Sequence, residues 1–347
     1  MANIYDLVTA PILATEWNEK VRERVPFLGE SLFPARKQLS TELDTIKGGV
    51  QTPKLLNLSA YDVKAIPVER EGFEKIHHEI PFFKNFKSVQ EKERRDIQNV
   101  SASAGSEKIL AILLGNVYND MFNLVNMAHS TLEYMRMKAL VEGAISFANN
   151  GVSVALDYGL ASSQKKTLTS TSKWDAPTTA DPIADIISWQ EQIANTTGVK
   201  PNTVLMNTAT FAQMRKADAV KNAVYVFGNG KVTPTATAAK QLIKDETGCD
   251  LIIYDKGITL NDTFTKFVPD GKVVLFDRSN VGYTNFSVTP EESDLMSGTD
   301  ASVSVVDTGI TITTTKETDP VNVKTKVSMV ALPSLEGADY IIQAKVY

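Results

Sequence analysis

Nine apolar residues, Leu110, Leu113, Val117, Met121, Leu124, Ala128, Leu132, Met135 and Ala139, recur at spacings of three and four, and this run constrains the fold more tightly than any other stretch of the 347-residue chain. A period of 3.6 places all of them on one stripe of a single amphipathic helix. Ser106 stands where an N-cap belongs, and either Gly143 or the Asn149-Asn150-Gly151 cluster supplies an end. The expected helix covers about 106–147, which at 1.5 Å per residue makes it ~60 Å long. So long a helix must lie along a surface or span a whole body, and the rest of the fold has to be built around it.

Downstream of this helix the chain alternates between the two periods. Val152, Val154, Leu156 and Tyr158 read as a strand. A Ser/Thr/Lys-rich loop at 162–172 leads to Asp181-Pro182, an N-cap followed by proline at the first helical position. Ile183, Ile186, Ile187, Ile193 and Ala194 form that helix's apolar stripe, and Gly198 with Pro201 stops it. A short buried strand at Val204-Leu205-Met206, helices near 210–216 and 237–246, and strands at 251–254 and 273–276 complete a mixed unit. The last of these strands is introduced by a turn in which Pro269 presets φ, Asp270 caps its own backbone and Gly271 supplies a positive φ. Beyond Phe286 the alternating pairs Val303/Val305, Ile310/Ile312, Val321/Val323 and Val327/Met329, broken at 307–309 and at Asp319-Pro320, read as a β-meander.

Upstream of the long helix the chain is less regular. Residues 1–50 hold short helical patches, one around 15–24, interrupted by Pro26, Gly29, Pro34 and Gly48-Gly49, the pattern of an arm lying on other surfaces. From 51 to 90 the pattern is extended, with a tight turn at Glu69-Arg70-Glu71-Gly72 and an aromatic return stretch broken by Pro81. That hairpin is too polar on both faces to hold itself together.

Composition removes several function classes. The formal net charge is -5, whereas a protein that grips nucleic acid needs a clustered basic surface. One cysteine, Cys249, excludes an intramolecular disulfide and a cysteine metal cluster, and suits a reducing compartment. The stretch Met-Ala-Asn-Ile-Tyr-Asp has none of the basic head and apolar core of a signal peptide. The longest apolar run, 109–114, falls far short of the ~20 residues a membrane helix needs.

Candidate chemistry is thin. His77 and His78 are adjacent in an expected strand and so face opposite ways. His129 and Glu133 share a helix face at i,i+4, where a hydrogen-bonded surface pair accounts for them. Gly228-Asn229-Gly230-Lys231 has the wrong spacing for a phosphate loop and has Val232 where Ser or Thr is needed, so it reads as a flexible tip. Asp181 and Asp185 serve as N-cap and first-turn dipole partner. The balanced run at 91–96 suits salt-bridged contacts at a subunit boundary or a solvated linker, the solvated reading being preferred. No catalytic, cofactor-binding or metal-binding residue is assigned, and no cofactor is expected.

In their order along the chain, Leu32-Phe33-Pro34, Val68-Glu69-Arg70-Glu71-Gly72, Arg136-Met137-Lys138-Ala139-Leu140, Leu156-Asp157-Tyr158-Gly159, Trp174, Asp181-Pro182-Ile183-Ala184-Asp185-Ile186, Met206-Asn207 with Phe211, and Ala331-Leu332-Pro333 accompany the step Pro269-Asp270-Gly271 to Val273-Val274-Leu275 and the pair Gly282-Tyr283. Together they resemble the lambda E-type family of major capsid proteins of tailed phages, a branch of the Hong Kong ninety-seven (Johnson) capsid fold. The resemblance implies an α+β protein with an N-arm at 1–50, an extended E-loop at 51–90, a peripheral (P) domain at 91–180 around the spine helix, an axial (A) domain at 181–285, and C-terminal strands at 286–347 returning to the P domain. The Thr/Val-rich stretch 303–330 departs from that plan and is expected to hold a small extra β element.

The function so implied is structural: an icosahedral shell subunit forming pentamers and hexamers around double-stranded DNA. Partners would be further copies of the chain, with a separate scaffold, portal and decoration proteins, no specific DNA contact and no membrane. It would be assembled in the host bacterial cytoplasm and found in the virion. The E-loop tip, Glu69, Arg70, Glu71 and Gly72, and the axial tip, Gly228, Asn229, Gly230 and Lys231, are the expected assembly contacts. An encapsulin-like cellular shell has the same fold, and an enzyme with its site in 181–285 is the alternative from another class.

Overall fold

Ala10, Leu13, Ala14 and Trp17 fall on one face of helix α1 (Ala10–Lys20), and all four are buried. In the computed structural model, which describes the chain apart from residues 1–7, 22–23, 48–73, 90, 93–94, 97–98, 100–106, 150–151, 226–231, 261, 297–300 and 319–320, this N-terminal segment is part of the body. After α1 come a short helix α2 (Leu28–Leu32) and strands β1 (Ala35–Lys37) and β2 (Glu42–Lys47). β2 pairs with β3 (Glu74–Glu79) as a separate two-stranded sheet, and Pro81 separates β3 from β4 (Phe82–Val89), because proline cannot donate to a ladder.

The amphipathic run is one continuous helix of 36 residues, α3 (Glu107–Glu142), ~54 Å long at 1.5 Å per residue. Met121, Leu124, Ala128, Leu132, Met135 and Ala139 of its stripe are buried. The helix ends at Gly143, not near 147. Gly143 takes φ of 68°, and a Cβ there would lie 2.9 Å from Leu160 Cδ1. Residues 144–147, expected as helix, begin strand β5 (Ala144–Asn149), which pairs antiparallel with β6 (Val152–Asp157). Asn149 faces Val152 in that register, so the Asn-Gly step joins a hairpin instead of closing a helix.

The mixed unit comes next. It contains β7 (Lys165–Thr167), α4 (Pro182–Thr197), β8 (Thr203–Met206), α5 (Thr208–Lys216), α6 (Asp218–Val224), α7 (Ala236–Thr247), β9 (Asp250–Ile253), the hairpin β10 (Gly257–Leu260) and β11 (Thr263–Lys266), and β12 (Lys272–Phe276). Asp181 caps α4 by accepting from Ala184 N at 3.1 Å, and Gly198 ends it at φ of 74°. Trp174, Ile186, Trp189, Val204, Phe211, Ile243 and Leu275 share its core.

β13 (Tyr283–Ser287), α8 (Pro290–Asp294), β14 (Ala301–Val306), β15 (Ile310–Thr318) and β16 (Val321–Ser334) carry the chain onward. Strands β14, β15 and β16 are the expected meander. They belong to a six-stranded sheet in the order β1-β13-β16-β15-β14, with β4 also paired to β16. The Thr/Val-rich stretch is therefore half of the six-stranded sheet, from edge strand β14 inward to β16, and not an extra element. Its Thr311 and Thr313 are fully buried, which β-branched threonine tolerates in a strand.

The last strand, β17 (Ile342–Lys345), lies apart from the sheet of β13–β16. It pairs with β12 and β7 in the five-stranded sheet β7-β17-β12-β8-β9. The chain divides into one unit of Met1–Leu43, His78–Met135 and Tyr283–Pro333 and a second of Asp44–His77, Arg136–Gly282 and Ser334–Tyr347.

Candidate assembly surfaces

Both expected assembly tips, Glu69, Arg70, Glu71 and Gly72 and Gly228, Asn229, Gly230 and Lys231, lie outside the described residues. So does the expected N-cap, Ser106. The second strand after the first tip, β4, is described. β4 exposes Phe82, Lys84, Asn85, Phe86, Lys87 and Ser88, and only Val89 is buried. Phe86 is 57% exposed and carries the Lys324 ammonium 4.4 Å above its ring. Lys87 reaches Asp120 of α3. An outward face of aromatics and lysines, beside a buried row on β16, is the composition of a contact surface more than of a solvated edge.

The N-terminal segment was expected to lie on other surfaces, yet residues 10–37 pack on their own chain. The apolar face of α1 covers β14 and β15, and β1 pairs parallel with β13, Ala35 opposite Thr284. A polar cluster locks this arrangement. The Trp17 indole stacks on the His129 ring, centroids 5.6 Å apart. His129 Nε2 lies 2.8 Å from Asp307 Oδ2, and Trp17 Nε1 donates to the same oxygen at 3.3 Å. A carboxylate can only accept, so Nε2 carries the proton. Burial alone would push the Asp307 carboxyl up, and the His129 and Trp17 hydrogen bonds overcome it to hold the group below its ordinary value. Gly29 N donates to both oxygens of Glu133 at 3.0 Å, and Arg24 pairs with Glu30 at 2.8 Å.

His129 and Glu133 are thus not a surface pair. Both are buried, and each is claimed by a different partner far away in sequence. Their i,i+4 spacing signals two anchor points on one helix face. Asp185 also does more than the first turn of α4 requires: burial pushes its carboxyl up, and it accepts from Trp174 Nε1 at 2.9 Å. In the Pro-Asp-Gly turn Gly271 has φ of 77° as expected. Asp270, however, turns to Lys266 and Asn207 and not to its own backbone, while Gly271 N donates to Thr210 Oγ1 at 2.9 Å. Asn207 also caps α5 by accepting from Thr210 N at 2.8 Å. The fragments at 206–211 and 268–275 are therefore two sides of one junction.

Cys249 is buried, and burial pushes its thiol up, the state of an inert core residue. Among the described residues no group of three or more His, Cys, Asp and Glu could hold a metal ion, and no helix is long and apolar enough to cross a membrane.

Over nearly its whole length the fold matches solved phage-related structures. A protein assigned as a prophage capsid protein of Escherichia coli CFT073 superposes with a TM-score of 0.64 at 13% identity, covering 98% of this chain and 99% of that one. A phage-related protein from Bordetella bronchiseptica RB50 gives 0.54 at 16% identity, with 99% and 98% covered. A capsid chain of cyanophage A-1(L) gives 0.50 at 10% identity, with 92% of each covered. The fold is that of phage capsid subunits. No curated protein sequence matches the chain. The family model of phage major capsid protein E matches residues 9–346, and the chain belongs to that family. It is a structural subunit of an icosahedral phage capsid, not an enzyme, and it self-associates into shells.

Proposed function

We propose that this chain assembles into pentamers and hexamers that enclose double-stranded DNA, with residues 51–90 acting as the E-loop laid over a neighbouring copy. The observation that carries the reading is β4: a strand paired to β16 whose alternating residues Phe82, Lys84 and Phe86 are exposed on one face. Exposed aromatics interleaved with lysines are stabilised once a partner covers them. The tip Glu69, Arg70, Glu71 and Gly72 makes polar contacts across the copy boundary, and the tip Gly228, Asn229, Gly230 and Lys231 lies near the ring axis. In this reading residues 91–180 form the P domain around α3 and residues 181–285 the A domain. A net charge of -5 suits a shell that holds DNA without binding it. A separate scaffold, a portal and decoration proteins complete assembly in the host bacterial cytoplasm.

The test is electron microscopy of purified full chain beside the triple variant Glu69→Ser, Arg70→Ser, Glu71→Ser. The variant should keep the thermal stability of the unassembled subunit and lose shells, most at low salt where exposed charges act furthest. Normal shells from the variant at every salt concentration would move the E-loop contact elsewhere.

A further inference from the structure

A cleft of about 560 Å³ runs between α3 and the end of α1 with the residues just after it, a volume typical of small-molecule sites. Lys20 and Arg24 stand on one side of it and Asn119, Asn123 and Asn126 on the other. Behind them the buried rings of Trp17 and Phe122 form an apolar wall. Among the described residues, no carboxylate lines the cleft.

Neither cation is fully satisfied within the chain. The Lys20 ammonium sits 4.0 Å over the Phe122 ring and 3.3 Å from Asn119 Oδ1, with no carboxylate partner among the described residues. Arg24 pairs with Glu30 through Nη2, which leaves its Nη1 buried without a hydrogen-bond partner. A buried guanidinium N–H that lacks an acceptor is unfavourable. The carboxylate next to Asn119 on α3, Asp120, is taken by Lys87. The side-chain amides of Asn123 and Asn126 have no partner among the described residues. Asparagine is also a weak helix former, and a merely solvated face is better served by Glu, Lys or Gln.

We propose that this cleft binds a small phosphate-bearing molecule. An ammonium, a guanidinium nitrogen and a row of amides offer more N–H groups than the two oxygens of a carboxylate take up, whereas a phosphate dianion presents three oxygens and a charge that matches Lys20 and Arg24 together. Asn119 and Asn123, at i and i+4, lie one above the other on α3, so both amides serve a phosphate held at Lys20. Asn126, one turn further on, serves the rest of the ligand. The phosphates of a DNA duplex are singly charged and spread along a convex backbone, the wrong shape and charge for a concave site with two cations. A bound phosphate bridges α1 and α3, and so fastens the N-terminal segment to the long helix.

The experiment is a calorimetric titration of the unassembled full chain with inorganic phosphate and with pyrophosphate, against sodium chloride at matched ionic strength. The melting temperature is read in parallel, since a ligand of the folded state raises it. Saturable binding and a higher Tm are expected with phosphate or pyrophosphate, and neither with chloride. Lys20→Met, which keeps an aliphatic cover on Phe122, and Asn123→Ala should each weaken binding about tenfold or more, the loss of one charge-assisted hydrogen bond. Both side chains are exposed, so both variants should melt close to wild type without ligand; should Lys20→Met fail to fold, Asn123→Ala carries the test. No binding beyond the chloride control overturns the site. Wild-type affinity in either folded variant breaks the pairing of ammonium and amide and overturns it as well. A short DNA duplex is the last arm: it should not displace pyrophosphate, and displacement would make the cleft a nucleic-acid contact and overturn the small ligand.

Discussion

Asp307 should decide whether the N-terminal helix stays on the sheet. Its Oδ2 is the common acceptor for His129 Nε2 at 2.8 Å and Trp17 Nε1 at 3.3 Å, and both donors belong to buried residues. Asp307→Ala removes that acceptor, and each stranded donor costs ~1–3 kcal/mol. The backbone adds to this, since Asp307 has φ of 51° and alanine tolerates the left-handed region worse than aspartate or asparagine by ~1 kcal/mol. The Asp307 side chain is 34% exposed, so water partly replaces the lost oxygen, and the low end of the sum, ~3 kcal/mol, is expected. Asp307→Asn keeps an oxygen acceptor and the turn conformation, losing only the charge-assisted part, ~1 kcal/mol. Urea unfolding of unassembled subunits reads both values. Proteolysis should cut within residues 10–37 first in the alanine variant. An alanine variant within ~0.5 kcal/mol of wild type, the usual range for a neutral surface change, with unchanged cleavage would show that the cluster does not hold α1.

The same pair has a pH signature with a definite sign. Asp307 is held below its ordinary value of 3.8, so its stabilising contribution is complete above the unfolded value and disappears as pH falls through the lower folded one. The gap between wild type and Asp307→Asn should therefore close as pH falls below about 4. A gap that widened below about pH 4 would reverse the assignment.

Two further outcomes test the fold and the assembly separately. Leu124 is 4% exposed on the buried stripe of α3, so Leu124→Asp should cost several kcal/mol, about 3 or more, and leave insoluble or unassembled protein; normal yields of normal shells would remove Leu124 from the core. On the proposed E-loop role, residues 51–73 should exchange amide hydrogens faster in isolated subunits than in shells, whereas 82–89, paired to β16 within the chain, should be protected in both; equal protection of 51–73 in both states would contradict that role.

The features legible in the sequence were those that short-range periodicity controls. The stripe of α3, the Asp181 cap with Pro182, and the strands at 204–206 and 273–276 each follow from residues within a few positions of one another. The end of α3 was not fixed in this way, because Gly143 and the Asn-Gly step are both breakers and only the pairing of Ile145 with Leu156 chooses between them. The packing of α1 was carried by Ala10, Leu13, Ala14 and Trp17 at i, i+3, i+4 and i+7, a stripe overshadowed by Pro11 and by the later breakers. The roles of His129 and Glu133 could not be read at all: Asp307 is 178 residues from the first and Gly29 is 104 from the second. The place of β17 is equally nonlocal, since Ile342 to Lys345 is a strand in any sheet until β12 accepts it.

The clamp also links stability to assembly. His129 and Glu133 fix the rotation of α3 about its axis through Asp307 and Gly29, and Trp17 ties α1 to the same carboxylate. A helix rotated away from these anchors presents a different surface to any neighbouring copy. Asp307→Ala should therefore lower subunit stability and the yield of shells together, whereas Asp307→Asn, which keeps the acceptor, should lower both far less. Shells formed as readily by the alanine variant as by wild type would show that assembly does not depend on the clamp.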